Sequence, residues 1–164
     1  MDSGRFDEHQ SSSAGRWSKK NTPQAAALGR SRGGLNTKIH AAVDALGNAV
    51  HLHLSAGQEA DCVHFDAILQ DLPAEVAAVV ADKAYDTNDI IEKLETRGAQ
   101  VVIPAKANRK EPRILDENLY EDRNKVERFF LRIKQHRAVA TRYDKTAASF
   151  LSTVCIAAIL DWMK

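Results

Sequence analysis

The chain has little cysteine and no long apolar run. Its two cysteines, Cys62 and Cys155, lack a neighbour at C-x-x-C spacing, which argues against a zinc site and fits a reduced, cytoplasmic setting. No apolar stretch approaches the roughly 20 residues that a membrane-spanning helix needs. Residues 1–5 lack the apolar core of a secretory signal peptide. These absences favour a water-soluble globular protein without membrane contact, and its 164 residues suffice for one well-buried domain.

Net charge is also small, at +1, but the charges are unevenly distributed. Residues 1–42 hold seven basic and three acidic residues, residues 43–105 hold three and eleven, and residues 106–145 hold twelve and seven. Two basic segments around an acidic middle suit a protein that binds phosphates and concentrates carboxylates elsewhere. An unevenly charged, solvated surface explains the same pattern, so charge alone does not decide between them.

Residues 1–34 are rich in Ser, Gly and Arg, and we interpret them as a flexible polar segment that contains the remnant of a first strand. Within it, residues 10–30 are expected to form a mobile loop. Residues 35–164 are expected to form one folded domain. Its predicted elements are a hairpin (35–43 and 49–54), a helix (59–71), a strand (76–82), a helix ending at Gly98, a strand (100–104) and two helices (117–136 and 144–163).

This order of elements predicts an α/β fold, because strands that alternate with helices form a sheet covered on both faces. With an antiparallel hairpin in front, the order suits a ribonuclease-H-like mixed sheet flanked by helices, with its first strand truncated. Ligands of open α/β sheets bind at the carboxyl ends of the strands. Asp82, at the end of the predicted strand 76–82, would therefore lie at this ligand-binding edge of the sheet.

The most specific motif reads Tyr120-x2-Arg123-x3-Glu127-x6-Lys134. On an α-helix, residues spaced by 3, 4 and 7 share one face. One carboxylate flanked by a guanidinium, an ammonium and a phenol makes a poor core but a good surface for a metal ion and a phosphate. A solvated face with i,i+4 salt pairs such as Arg123–Glu127 is the alternative.

These four residues resemble the Y-R-E-K signature of DDE insertion-sequence transposases, in the branch usually numbered four and five. The stretch from Ala81 to Asp86 is similar to the A-D-x-G/A-Y-D motif around that family's second acidic residue. Gly57-Gln58-Glu59-Ala60-Asp61 is similar to a further family run, in which Asp61 would cap or orient. The similarity spans about residues 29–162.

Asp82 and Glu127 are the candidate catalytic carboxylates, since an acid that ends an apolar strand is costly to bury unless it binds something. Carboxylate oxygens are ligands that magnesium prefers. Asp82 as a cap of a loop or helix start is the alternative. Asp86 is a competing assignment, but its position ahead of a helix favours a capping role.

The resemblance implies a third acidic residue on the first strand, and Asp2 is the best match. Asp2-Ser3, followed by His9-Gln10, resembles the D-S…H-Q run at the family's first aspartate. The sequence departs from the family after Ser3, because Gly4-Arg5-Phe6-Asp7 replaces the usual apolar strand residues.

With this triad, the resemblance implies DNA transposition with two Mg²⁺ ions, for which Mn²⁺ can substitute. The ions would lie ~3.5–4 Å apart and be held by Asp2, Asp82 and Glu127. Water would nick DNA at the element's end, and the freed 3′-hydroxyl would then attack target DNA. The expected DNA-binding residues are Tyr120, Arg123, Lys134, Arg30, Arg32, Lys106, Arg109 and Lys110.

The resemblance also implies partners and a location. The DNA partners would be the terminal inverted repeats of the element and the target DNA. The protein would act as a homodimer in a synaptic complex or with an upstream-frame product, in the bacterial cytoplasm and at the nucleoid when bound to DNA. A catalytically inactive remnant that binds DNA or a full-length partner is the alternative. His51-x-His53 offers a weaker metal site without an evident third ligand.

Overall fold

The computed structural model describes residues 2–7, 27–31 and 34–164. Its first sheet has four strands, in which β3 pairs antiparallel with each of the others. Asp2 lies opposite Ala41, and Asp7 lies opposite Asn36. The strands are β1 (Asp2–Asp7), β2 (Gly29–Ser31), β3 (Gly34–Val43) and β4 (Ala49–Ala56).

The predicted hairpin is confirmed as β3 and β4, and Asp44 shapes its turn. The Asp44 carboxylate accepts hydrogen bonds from the backbone N–H groups of Leu46 and Asn48, each at 2.9 Å. Gly47 has a φ of +87°, a conformation that glycine adopts without steric cost. This local chemistry explains why the turn could be recognised from sequence.

A second, smaller sheet pairs β5 (Ala78–Val80) in parallel with β6 (Gln100–Val102). The helix α2 (Asn88–Thr96) connects them, as a parallel pair requires. Thr87 caps α2 by accepting a hydrogen bond from Ile90 N at 3.3 Å, and Gly98 follows its end with a φ of +71°. Both predicted strands and the intervening helix are therefore confirmed, with shorter strands than expected.

Helices make up most of the remaining chain, and their bounds differ from the predicted ones. The single helix predicted over 117–136 is wrong in detail, because a 3-10 turn (Glu121–Arg123) interrupts it. Neither the turn nor the helix after it begins with a side-chain cap, so the interruption is a local tightening of one helical run. The α-helices are α1 (Phe65–Asp71), α3 (Glu117–Tyr120), α4 (Asn124–Ile133), α5 (Arg137–Ala140) and α6 (Ala147–Trp162).

Alternate residues of β3 face two different hydrophobic cores. Ile39 and Ala41 pack with Phe129 of α4 and Phe150 of α6, whereas Ala42 belongs to the core that contains α1, α2 and β5. A strand places successive side chains on opposite faces, so β3 can supply both cores. The described residues therefore form a mixed α/β fold with small sheets and packed helices.

Two apolar helix surfaces are only partly buried. Val63 is 71% exposed in the 3-10 helix Asp61–His64 that precedes α1. The last helix, α6, is buried at Phe150 and Val154 but carries exposed apolar side chains toward its C-terminus. The exposed apolar side chains there are Ile156, Ile159, Leu160, Trp162 and Met163.

Within the described residues, no helix combines the length and apolar character that crossing a bilayer would require. The predicted mobile loop falls mostly on residues 8–26, which lie outside the described residues. The division into residues 1–34 and 35–164 stays a prediction, although β1 and β2 both pair with β3.

Candidate metal and nucleic-acid site

Asp82 lies two residues after β5, at the carboxyl end of the parallel pair, as predicted. Ala81 is fully buried and donates its N–H to Val102 O at 3.2 Å, so the backbone is held against β6 up to this point. The Asp82 side chain is half-buried and accepts a hydrogen bond from Lys83 N at 2.6 Å. It thus caps the 3-10 helix Lys83–Tyr85, which is the alternative role considered from sequence.

Glu127 lies on the first turn of α4 with its side chain 47% exposed. Its Oε1 is 2.9 Å from Nη1 of Arg123, one helical turn earlier. Val126 and Phe130 of the same helix are buried, so packing of the apolar face turns Glu127 outward. Two residues of the predicted motif are therefore in direct contact, through the salt pair that the alternative interpretation named.

Tyr120 and Lys134, the outer members of the motif, lie at the two ends of this helical region. Tyr120 is the last residue of α3 and half-buried, while Lys134 caps the C-terminus of α4 and is exposed. Because a 3-10 turn winds more tightly than an α-helix, the four side chains do not follow one straight α-helical stripe. The motif remains on one continuous run of helical turns.

The N-terminal candidates can be placed only in part. Asp2 is the first residue of β1, and Arg30 is the middle residue of β2 rather than part of a loop; for both, only the backbone is described. Arg32 lies outside the described residues. The proposed third carboxylate is therefore on a strand, and its side-chain contacts stay a prediction.

Among the side chains that the structure describes, no three His, Cys, Asp or Glu residues are arranged to hold a metal ion. Asp82 and Glu127 still offer the hard oxygen donors that Mg²⁺ prefers, and neither is deeply buried. The chemistry of these two donors fits the ion, and a full ligand set would need the side chain of Asp2 or water.

Two cavities lie beside these elements. One, of about 460 Å³, is lined by Arg123 and by residues 76–80, which lead into and form β5. The other, of about 520 Å³, lies between β4 and the end of α6 and is bordered by His51 and Trp162. Neither is lined by Asp82 or Glu127.

Asp86 does not cap the following helix α2, so that prediction is wrong. Thr87 supplies the cap of α2, while the Asp86 side chain is only 1% exposed and accepts three hydrogen bonds. Lys106 N donates to Oδ2 at 2.7 Å, and Arg109 Nη1 and Arg113 Nη2 donate to Oδ1 at 2.7 and 2.8 Å. Burial alone would raise the pKa of Asp86, but these hydrogen bonds and the two guanidinium charges outweigh burial and lower it.

The basic loop 106–113 contains the three remaining DNA-binding candidates, and they differ in their contacts. Arg109 binds Asp86 and also donates to Asn88 Oδ1 at 2.7 Å. Lys106 contacts Asp86 through its backbone, and its side chain is half-buried; Lys110 is exposed. Lys106 and Lys110 can thus present ammonium groups outward, whereas Arg109 is held by the protein.

The chain is similar to known proteins over most of its length. The family model described as "Transposase DDE domain" matches residues 2–160. The chain belongs to the DDE transposase family. It is 30% identical over 131 residues to a Brucella ovis protein named "Putative transposase for insertion sequence element IS6501", an alignment that covers 79% of this chain and 100% of that protein. No solved structure matches the chain.

Family membership confirms the resemblance drawn from the sequence. The chain is a DDE insertion-sequence transposase, which places it among proteins that act in DNA transposition by phosphoryl transfer. DDE transposases generally use divalent metal ions and bind DNA. Its assignment to the branch with the Y-R-E-K signature stays a prediction, as do the roles of individual residues.

Sequence reasoning missed a histidine cluster in this transposase. The rings of His40 and His64 lie 4.9 Å apart, and those of His53 and His64 lie 5.0 Å apart. His53 Nε2 is 3.2 Å from His64 Nδ1, and His40 Nε2 is 2.7 Å from Ser55 Oγ. The alternation of His51 and His53 on β4 hinted at a paired face, but His40 and His64 come from other elements.

Burial is the main reason that the pKa of His40 falls to about 4, and the neighbouring charge of His64 adds to the effect. The pKa of His53 is lowered by the same two causes. His51, the other half of the predicted pair, instead binds Asp71 Oδ2 at 2.6 Å. The two histidines of the predicted weak metal site therefore have different partners, Asp71 for His51 and His64 for His53.

Proposed function

We propose that this chain cuts DNA strands at insertion-sequence ends and transfers them to target DNA in a metal-dependent reaction. The observation that carries the proposal is the position of Asp82. In a chain of the DDE family, it lies two residues after a parallel strand, with its side chain half-buried at the carboxyl end of the sheet. Ligands of α/β sheets bind at such ends.

In this proposal, Asp82 and Glu127 provide carboxylate ligands, and Asp2 provides the third. Two Mg²⁺ ions, or Mn²⁺ in their place, would stabilise charge on the attacking and leaving oxygens of the phosphoryl transfer. Arg123 can turn from Glu127 to a phosphate, because a guanidinium binds both groups through paired N–H donors. Tyr120 and Lys134 would hold neighbouring phosphates and bases, as would Arg30 and Arg32.

We also infer a ribonuclease-H-like arrangement of the two sheets. The antiparallel order β4-β3-β1 and the parallel pair β5-β6 would make one mixed sheet if β5 lay beside β1. A mixed sheet of this kind is the fold expected from the sequence, and β1 supplies a first strand of six residues. The join would bring Asp2 and Asp82 to neighbouring strands.

The partners belong to the same proposal. Terminal inverted repeats and target DNA would bind across the basic segments, and two copies, or one copy and an upstream-frame product, would hold two DNA ends. The protein would then work in the bacterial cytoplasm, at the nucleoid when bound to DNA.

A strand-nicking assay on duplex DNA with the element's inverted repeats tests catalysis. Nicking should require Mg²⁺ or Mn²⁺ and stop with EDTA. Asp82→Asn and Glu127→Gln should each lower the rate at least about 100-fold, as expected for lost electrostatic stabilisation. Glu121→Gln, an exposed carboxylate on the same helical run, is the matched control and should stay active.

Binding of Mn²⁺, followed by electron paramagnetic resonance, provides a readout without DNA and should weaken in Asp82→Asn but not in the control. Nicking that persists in both carboxylate variants would exclude these residues as ligands.

An inactive binding protein is the second candidate, and one observation favours it. Both carboxylates have local structural partners, Lys83 N for Asp82 and Arg123 for Glu127. Under this alternative, the wild-type chain binds DNA or a full-length partner with equal affinity in EDTA and in Mg²⁺, and it produces no nick.

A further inference from the structure

The basic loop 106–113 is attached to the turn that carries Asp82 by a single buried carboxylate. Asp86 receives the Lys106 N–H, the Arg109 guanidinium and the Arg113 guanidinium, all at 2.7–2.8 Å. These donors span the full length of the loop. Since the Asp86 side chain is 1% exposed, the contacts are shielded from water and from salt.

The backbone between Asp82 and Asp86 also forms a short, hydrogen-bonded connection. Tyr85 N donates to Asp82 O at 2.9 Å, and Asp86 N donates to Lys83 O at 3.1 Å. The Tyr85 side chain between them is buried in the core. Asp82 and Asp86 are therefore the two ends of one hydrogen-bonded turn, and a displacement of the loop would disturb that turn.

The cluster has more cationic groups and donors than Asp86 can satisfy. Two guanidinium groups face one carboxylate, which leaves a net positive charge. Nε and Nη1 of Arg113 are buried and have no hydrogen-bond partner among the described residues. Unsatisfied buried donors are rare and call for an additional acceptor. Because these two atoms are buried, the Arg113 side chain depends on Asp86 for its shorter hydrogen bond.

We propose that Asp86 is a positioning residue that holds the loop 106–113 beside Asp82, so that Lys106 and Lys110 bind DNA phosphates next to the one being cleaved. This inference rests on the proposed function for its DNA and its reaction. It also revises one sequence prediction, because Arg109 acts through Asp86 and Asn88 rather than by contacting DNA itself. The loop is then a fixed part of the site.

Asp86→Asn tests the attachment, and Asp89→Asn is its control. Both variants remove one negative charge, but Asp89 is an exposed residue of α2 that pairs with Lys93. Limited trypsin digestion, with cleavage sites mapped by mass spectrometry, should show faster cutting after Lys106, Arg109 and Lys110 in Asp86→Asn only. This readout requires neither DNA nor catalysis. An equally protected loop in both variants overturns the proposal.

DNA affinity as a function of salt tests the role of the loop. Loss of a carboxylate alone would strengthen DNA binding, as in Asp89→Asn. The loosened loop of Asp86→Asn should instead weaken binding and reduce the slope of log affinity against log salt by about 1–2 units, the contribution of one or two phosphates. If Asp86→Asn loosens the loop but its affinity depends on salt with the same slope as that of Asp89→Asn, the proposed role of the loop in DNA binding is overturned.

Arg109→Gln breaks the same ion pair from the partly exposed side and replaces Asp86→Asn if that variant does not fold. It should reproduce the faster cutting after Lys106 and Lys110, while the site after residue 109 is lost with the arginine. The failure of the proposed function is a separate result, in which wild-type protein neither binds nor nicks inverted-repeat DNA while Asp86→Asn still loosens the loop.

Discussion

Arg123 and Glu127 form an ion pair across one turn at the start of α4, with 2.9 Å between Nη1 and Oε1. The pair joins the guanidinium and the carboxylate of the motif that first suggested a transposase. Its side chains are 29% and 47% exposed, so water competes with the contact. Such pairs contribute only about 0.3–0.5 kcal/mol to stability, which leaves the arginine able to change partners.

Replacement of Arg123 by Ala should therefore affect DNA processing more than folding. Lys125→Ala is a matched control, because Lys125 forms a similar surface pair with Asp122 at 2.8 Å. We expect nicking of inverted-repeat DNA to fall about 10-fold or more for Arg123→Ala and to change little for Lys125→Ala, since one bidentate contact is worth ~1.5–3 kcal/mol. Equal rates for the two variants would show that Arg123 has only a helical role.

Lys110 and Lys134 are exposed cations assigned to phosphate contacts. Changing either to Gln should reduce the slope of log affinity against log salt by about 0.9, the contribution of one neutralised phosphate. Lys93→Gln is the control, because Lys93 is engaged by Asp66 and Asp89 in the acidic part of the chain. Filter-binding titrations between low and moderate salt measure these slopes, and an unchanged slope removes the residue from the interface.

Acid should destabilise the protein through His40. Its pKa is about 4 in the folded state and near 6.5 when unfolded, so only the unfolded chain takes up this proton between those values. Stability is therefore lost as pH falls from about 6.5 to about 4, by up to about 3 kcal/mol. Urea unfolding across this range should show a clearly shallower loss in His40→Gln.

The charges around His40 lie on several elements, so the comparison needs a control. His64 and His53 oppose its protonation together with Lys38, whereas Asp61 favours it. His136→Gln, which lies outside the cluster at the start of α5, should retain the wild-type pH dependence. If His40→Gln lost stability just as steeply, the effect would have to come from other groups.

Local patterns in the sequence were enough to predict the hairpin, the two strands on either side of α2 and the family. The turn at Asp44 and the end of α2 at Gly98 depend on residues within a few positions, so both can be recognised from the sequence. The signature from Tyr120 to Lys134 is likewise local. Contacts between distant segments leave no comparable pattern.

The role of Asp86 illustrates what only the tertiary structure decided. From the sequence it was one acid before a helix, and capping was the natural interpretation. Folding brings Lys106, Arg109 and Arg113 to it from 20 to 27 residues away. The histidine cluster likewise draws on β3, β4 and the turn before α1. The amino-acid sequence by itself determined the elements and the chemistry available, because both depend on near neighbours. Which charges meet, and which are buried, depended on how the two cores pack against β3.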